Sequence, residues 1–161
     1  MDQREHRLAW HETLEIHELV AFQSTGLIKL KKHIHKITDP ELRSLHAMAI
    51  QALEKNIQEL VQFYPAAPMY REVEARADNS FYASDLLGLA KMTVRNYATA
   101  VTEAATPQVR TVLSRHLQTA IQLHGQAFYY TYKRGLYPAY DLPRLLENDV
   151  LLAQKALRMD Y

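Results

Sequence analysis

Three carboxylates and one imidazole stand at positions from which they could together bind a metal ion. They are Glu18, Glu54, Asp85 and His124, and each falls on a different predicted helix. Oxygen and imidazole donors suit hard and borderline divalent ions such as iron, manganese or zinc. Four such ligands can hold one ion, although not comfortably two. The residue types therefore predict a carboxylate and histidine site inside a helical bundle.

An offset of 67 residues relates these positions, because two stretches of the chain have the same pattern. Thr38–Leu45 and Ala105–Val112 each place a hydrogen-bond acceptor before a proline and then begin an amphipathic run, with the two prolines 67 residues apart. The same offset aligns Glu18 with Asp85. Residues equally far from a hairpin turn stand at equal height in antiparallel helices, so the four polar side chains are predicted to converge near one level.

The offset also shows where the two copies differ. Bundles that bind two metal ions take a Glu-x-x-His pair from each of two helices. Here the corresponding positions read Glu54 and Ile57 in the first copy but Ile121 and His124 in the second. Each copy thus holds a different half of the pair, which is typical of a metal site that has lost ligands.

A structural interpretation of the same residues competes with the metal site. A single histidine in an apolar stripe usually donates to a core acceptor, and acids at a helix edge are usually solvated. Within the metal-site interpretation, His17 could instead substitute for Glu18 as the inward ligand, because it shares a helix face with Trp10, Leu14 and Val20. We favour the structural interpretation, and we expect no catalytic residue and no bound cofactor.

The helical elements that would position these residues follow from hydrophobic periodicity. Apolar residues recur every three or four positions, which predicts one helical hairpin at 8–64 and a second at 80–135, joined by a linker at 65–79. A fifth helix is predicted at 142–158, lying either on the bundle or against a neighbouring molecule. A hairpin alone cannot bury its apolar stripe, so the chain is predicted to be one domain, 1–161, built as an up-down four-helix bundle.

Particular residues mark the ends of these helices. Asp39 and Thr106 precede prolines, as helix N-caps do. The final segment begins with Asp141, Leu142 and Pro143. Gly135 follows two cations and predicts a helix stop. The cationic run 29–36 is interpreted as exposed charge that complements the negative end of the first helix.

Composition excludes several classes of function. Nineteen basic and eighteen acidic residues give a net charge of +1, which argues against nucleic acid as a main partner. The absence of cysteine excludes disulfides and thiolate sites. There is no glycine-rich phosphate loop, and no apolar run reaches the length of a membrane span. We therefore expect a soluble protein that is made in the cytoplasm.

The second half of the chain contains several distinctive motifs, among them Glu103–Arg110, Ile121–His124 and Gly135–Pro138. These motifs resemble the Coat F family of bacterial spore coat proteins, and the opening His11–Leu19 is similar to long members of that family. The resemblance implies a ferritin-like four-helix bundle, an endospore-forming host and a structural, non-enzymatic role in the spore coat. It further implies other spore coat proteins as partners, and we expect a homo-oligomer.

Two alternatives to the coat role remain open from the sequence. One is a ferritin-like metal-binding protein or oxidase that uses the four polar residues, and the other is a dimeric adaptor unrelated to spores. Five tyrosines between Tyr129 and Tyr140 add a further expectation. Most of them are expected to anchor the end of the bundle. In a coat, the exposed ones would be candidates for oxidative cross-linking.

Overall fold

All regular secondary structure in the described part of the chain is helical, and short turns and loops join the helices. The structure is a computed structural model, and it describes residues 7–70 and 79–161. A short helical turn predicted from Arg71 to Arg76 lies outside the described residues. The five α-helices are α1 (Trp10–His33), α2 (Pro40–Val61), α3 (Ser80–Glu103), α4 (Pro107–Lys133) and α5 (Leu142–Arg158), with short 3₁₀ segments at Ile34–Lys36 and Tyr64–Ala66.

These helices belong to two compact units. Unit 1 comprises Met1–Asp78 and Ala139–Tyr161, and it contains α1, α2 and α5. Unit 2 comprises Asn79–Pro138, and it contains the antiparallel pair α3 and α4. The boundary at residue 79 falls at the end of the predicted linker.

The two hairpin turns make matching contacts at positions related by the internal repeat. Pro40 begins α2 and Pro107 begins α4. Near each turn an arginine donates two hydrogen bonds to one backbone carbonyl: Arg43 to that of Ile37, and Arg110 to that of Ala104. The two arginines are related by the same 67-residue offset, so the repeat extends from sequence to local structure.

The predicted helix ends are confirmed at four positions, although one of them, Thr106, lacks the side-chain hydrogen bond of a cap. Asp39 accepts a hydrogen bond from the Leu42 amide at 2.6 Å, and Asp141 caps α5 in the same way. Gly135 takes a positive φ of 66° at the end of α4, a conformation that favours glycine. Thr106 makes no side-chain cap hydrogen bond, so α4 begins through its proline and backbone bonds alone.

The buried face of α1 differs from the prediction. Val20 and Leu27 are fully buried as expected, whereas Trp10 and Leu14 are exposed. Seven buried residues follow alternating steps of four and three along α1 and into the 3₁₀ segment after it, which is the spacing of a side packed against neighbouring helices. They are Thr13, His17, Val20, Ser24, Leu27, Lys31 and Ile34, and Thr25 and Ile28 are buried beside them.

Helix α5 packs against α1 within unit 1, which decides between the two placements predicted for it. Its apolar stripe includes Leu146, Val150 and Ala153, all of them buried. Unit 1 is therefore a three-helix core in which α1 contacts both α2 and α5. Throughout residues 7–70 and 79–161, every helix falls short of the length and apolar character that crossing a membrane requires.

Candidate functional site

The polar groups of unit 1 gather on the buried face of α1. Thr13, His17, Ser24 and Lys31 follow one another at steps of four, seven and seven residues, which places all four on one side of the helix. Each is almost completely shielded from solvent. Burying polar side chains is unfavourable unless they find partners, so the contacts of this face show what it does.

His17 and Tyr64 both contact the same carboxylate oxygen of Asp149. His17 Nδ1 lies 2.6 Å from Asp149 Oδ2, and the Tyr64 hydroxyl donates to that oxygen at 2.6 Å. The three residues come from α1, from the 3₁₀ segment after α2 and from α5. One buried oxygen thus joins three elements that lie far apart in the chain. We call His17, Tyr64 and Asp149 the buried triad.

Burial dominates the ionisation of the buried triad. It raises the pKa of Asp149 above its ordinary value, and the contacts with His17 and Tyr64 oppose that rise. Glu18 adds a small like-charge contribution in the same direction as burial. Burial and the charge of Asp149 also raise the pKa of Tyr64 well above its ordinary value. Tyr64 therefore keeps its proton and acts as a hydrogen-bond donor.

Lys31 forms a second polar contact between α1 and its neighbours. Its ammonium lies 2.7 Å from Glu54 Oε1 on α2, and it donates to the carbonyl oxygens of Leu157 and Met159 at 3.2 and 2.8 Å. A cation at this place stabilises the carbonyl end of α5. The side chain also lies 5.2 Å from the centre of the Tyr161 ring. The cationic run is thus not uniformly exposed, because Lys31 is only 2% accessible.

Together these contacts fix the position and register of α5 on α1. One contact lies near the middle of α5 at Asp149, and the other lies at its C-terminal end. Buried polar pairs of this kind are poor stabilisers in net terms, but they penalise any packing that leaves them without partners. In contrast, Ser24 Oγ is buried with no hydrogen-bond partner among the described residues.

The structure places the four predicted metal ligands on four helices, two in each unit. Glu18 and Glu54 are half-buried in unit 1, and Glu54 pairs with Lys31. Asp85 and His124 are half-buried in unit 2. Across residues 7–70 and 79–161, no group of three or more histidine or acidic side chains is arranged to hold a metal ion. The site therefore gains no support from these residues, and it stays a prediction.

The residues of the buried triad were only partly predictable from the sequence. His17 was the alternative ligand to Glu18, and it does face the core, but its partner is Asp149; Tyr64 lies at the end of the predicted hairpin 8–64. Asp149 was missed, although it follows Leu146 by three positions and so lies on the buried side of α5. An acid inside an apolar stripe was the signal that could have revealed it.

The tyrosine cluster at the end of α4 divides into packed and exposed rings. Tyr132 stacks on Phe128 with ring centres 6.0 Å apart, and Tyr137 meets the same ring edge-on at 5.9 Å. Tyr129 and Tyr140 are 61% and 88% exposed. Tyr129 also meets the Phe128 ring edge-on at 5.6 Å, although most of its surface is exposed. The anchoring role thus has support at Tyr132, Tyr137 and in part Tyr129, while Tyr140 projects toward solvent.

Comparison with known proteins connects unit 2 to a family. The Coat F domain model matches residues 78–140, which is almost the same stretch as unit 2. The chain is also similar to the spore coat protein F-like protein YraD of Bacillus subtilis (strain 168), with 53% identity over 55 residues. That alignment covers 34% of this chain and 56% of YraD, so the chain spans little more than half of that relative. No solved structure matches the chain significantly. Residues 78–140 are therefore similar to the Coat F domain, the region in which the chain resembles spore coat proteins.

Proposed function

We propose that this protein is a structural, non-enzymatic component of the bacterial spore coat. The observation that carries the proposal is the match of unit 2 to the Coat F domain, together with the similarity to a spore coat protein F-like relative. The same two findings support the spore coat as its location. Other coat proteins are then its partners, and copies of the chain associate with one another.

The chemistry of unit 1 agrees with a structural role. The carboxylate of Asp149 is held by His17 and Tyr64, and the ammonium of Lys31 is held by Glu54 and two carbonyls. These groups are engaged in joining helices, which is how a scaffold uses buried polar side chains.

We also propose that the two hairpins form a ferritin-like four-helix bundle. Its support is the internal repeat: both second helices begin at a proline, and both turns carry the arginine contact at the same offset. Duplicated hairpins of this kind pack their apolar stripes together in bundles.

A fluorescent fusion expressed in the sporulating host tests the coat role. We expect fluorescence to accumulate as a shell around the developing spore, with the fluorescent protein alone spread through the cell as the control. Diffuse fluorescence from the fusion, with the full-length product intact on an immunoblot, would contradict the proposal.

Metal analysis separates the scaffold from the metal-dependent oxidase. The untagged protein is purified and its iron, manganese and zinc are measured beside those of a His124→Ala variant. We expect the two preparations to be equally folded and to contain the same trace amounts of metal. A stoichiometric metal that disappears in the variant would favour the oxidase.

A further inference from the structure

One long segment of the chain contains no acidic residue. All eighteen aspartates and glutamates lie outside residues 104–140, while this segment contains the cations Arg110, Arg115, Lys133 and Arg134. It comprises the whole of α4 and the turn after it. Solvated helix faces usually mix both signs of charge, so a helix of this length without a single acid is unusual.

The exposed side of α4 collects cations, amides and tyrosine. Arg115, Gln122, Gln126, Tyr129 and Lys133 follow one another at steps of seven, four, three and four residues, so they share one face of the helix. All five are exposed. We call these five residues, with the adjoining Tyr130 and Arg134, the acid-free face.

Two aromatic side chains and a stacked arginine form the end of this face. The Arg134 guanidinium lies 3.9 Å from the centre of the Tyr130 ring, which holds the charge in place beside exposed Tyr129. Arg115, Lys133 and Arg134 form no ion pair with any residue in 7–70 or 79–161. Their charges are therefore available to an outside partner.

We propose that the acid-free face of α4 binds an acidic segment of a partner protein. Charge complementarity selects an anion, and arginine and tyrosine are the residues that contribute most to protein interfaces. Arg115 and Lys133 lie about 27 Å apart along the helix, at ~1.5 Å per residue. This spacing is sparse for a nucleic acid, whose duplex carries one charge per ~1.7 Å, but it suits carboxylates spread along a polypeptide. The proposal does not depend on where the protein is located.

Binding is measured with the purified full chain and a fluorescein-labelled peptide of about twelve glutamates, by anisotropy at low ionic strength. We expect the affinity to fall as salt rises from about 0.05 to about 0.2 M, because exposed charges are screened. Removal of three cations in the variant Arg115→Gln, Lys133→Gln, Arg134→Gln should weaken binding about tenfold or more. Replacing Tyr129 and Tyr130 by alanine in the wild-type chain should also weaken peptide binding, although the net charge stays the same.

A matched variant controls for net charge. Lys36→Gln, Lys55→Gln and Lys155→Gln remove the same charge from exposed positions in unit 1, and they should leave binding within about twofold. Circular dichroism checks that both triple variants remain helical. Equal loss of binding in the two variants would overturn the proposal. So would tighter binding of a DNA duplex or of anionic vesicles than of the peptide through the same residues.

Discussion

Replacing Tyr64 by phenylalanine tests the buried triad with the smallest possible change. The substitution removes one hydroxyl and keeps the ring in its buried place. The Asp149 carboxylate then retains His17 but loses the donor 2.6 Å from its Oδ2 atom. Because the side chain of Asp149 is almost fully buried, water does not replace the missing hydrogen bond.

The expected loss of stability depends on pH, and the structure gives its sign. Burial raises the pKa of Asp149 in the folded state above its value in the unfolded chain. The protonated carboxyl therefore contributes to the stability of the folded state, and this contribution is lost as pH rises through the folded pKa. At pH values where Asp149 is ionised, the lost hydrogen bond involves a charged acceptor and costs about 1.5–3 kcal/mol. At acidic pH, where it is protonated, the cost falls to about 0.5–1.5 kcal/mol. The variant should therefore lose more stability at a pH above the folded pKa of Asp149 than at a pH below it.

Urea unfolding is followed by far-ultraviolet circular dichroism, together with the fluorescence of the single tryptophan, Trp10, which lies exposed in unit 1. The free energy of unfolding is compared for wild type and Tyr64→Phe at both pH values. In an Asp149→Asn background, the extra loss at the higher pH should disappear because position 149 no longer ionises. The exposed Tyr129→Phe serves as the control and should stay within about 0.5 kcal/mol of wild type. A Tyr64→Phe loss that is the same at both pH values, or larger at the lower one, would refute this reasoning.

Three further predictions concern stability and are measured by the same urea unfolding, with both probes. Lys31→Met should destabilise the protein by about 2 kcal/mol or more, because it leaves the partly buried Glu54 carboxylate and two α5 backbone carbonyls without their partner. An unchanged free energy of unfolding would contradict these contacts. Asp39→Ala should cost about 1 kcal/mol and Thr106→Ala less than about 0.5 kcal/mol, since only Asp39 caps its helix through its side chain; equal losses would show that the caps are equivalent. Gly135→Ala should destabilise by about 1 kcal/mol because of its positive φ, whereas Gly125→Ala inside α4, where an added Cβ meets nothing within 4 Å, should stabilise by about 0.5–1 kcal/mol; the opposite order would disprove the assigned conformations.

The helices themselves could be predicted well from sequence because their ends are encoded locally. Pro40 and Pro107 begin helices where the pattern placed them, and the predicted 142–158 segment is α5 without change. Proline, aspartate and glycine act on the few residues around them, so no distant contact is needed to interpret them.

The buried face of α1 was harder to predict because helical periodicity permits more than one face. Trp10 and Leu14 are larger and more apolar than Thr13 and His17, yet the structure buries the smaller polar pair. That choice depends on Asp149, which lies more than 130 residues later in the chain. Lys31 was misjudged for the same reason, since its partners on α5 are distant in sequence.

The resemblance to a family supplied what residue chemistry alone did not. Motifs such as Gly135–Pro138 belong to the region that matches the Coat F domain, whereas the pattern of Glu18, Glu54, Asp85 and His124 pointed to a metal. The structure pairs Glu54 with Lys31. Residue type and spacing show that ligands are available, but only packed geometry shows which partner each one takes.

Extraction of purified spores tests the central claim most directly. Purified spores of the host give a coat extract and a decoated spore lysate, and sporulating and vegetative cultures give a mother-cell lysate and a vegetative-cell lysate. The protein is quantified in each by immunoblot against a known amount of purified chain. A structural coat component should be recovered mainly in the coat extract and be absent from vegetative cells. Recovery mainly in the mother-cell lysate or the decoated spore lysate would contradict it.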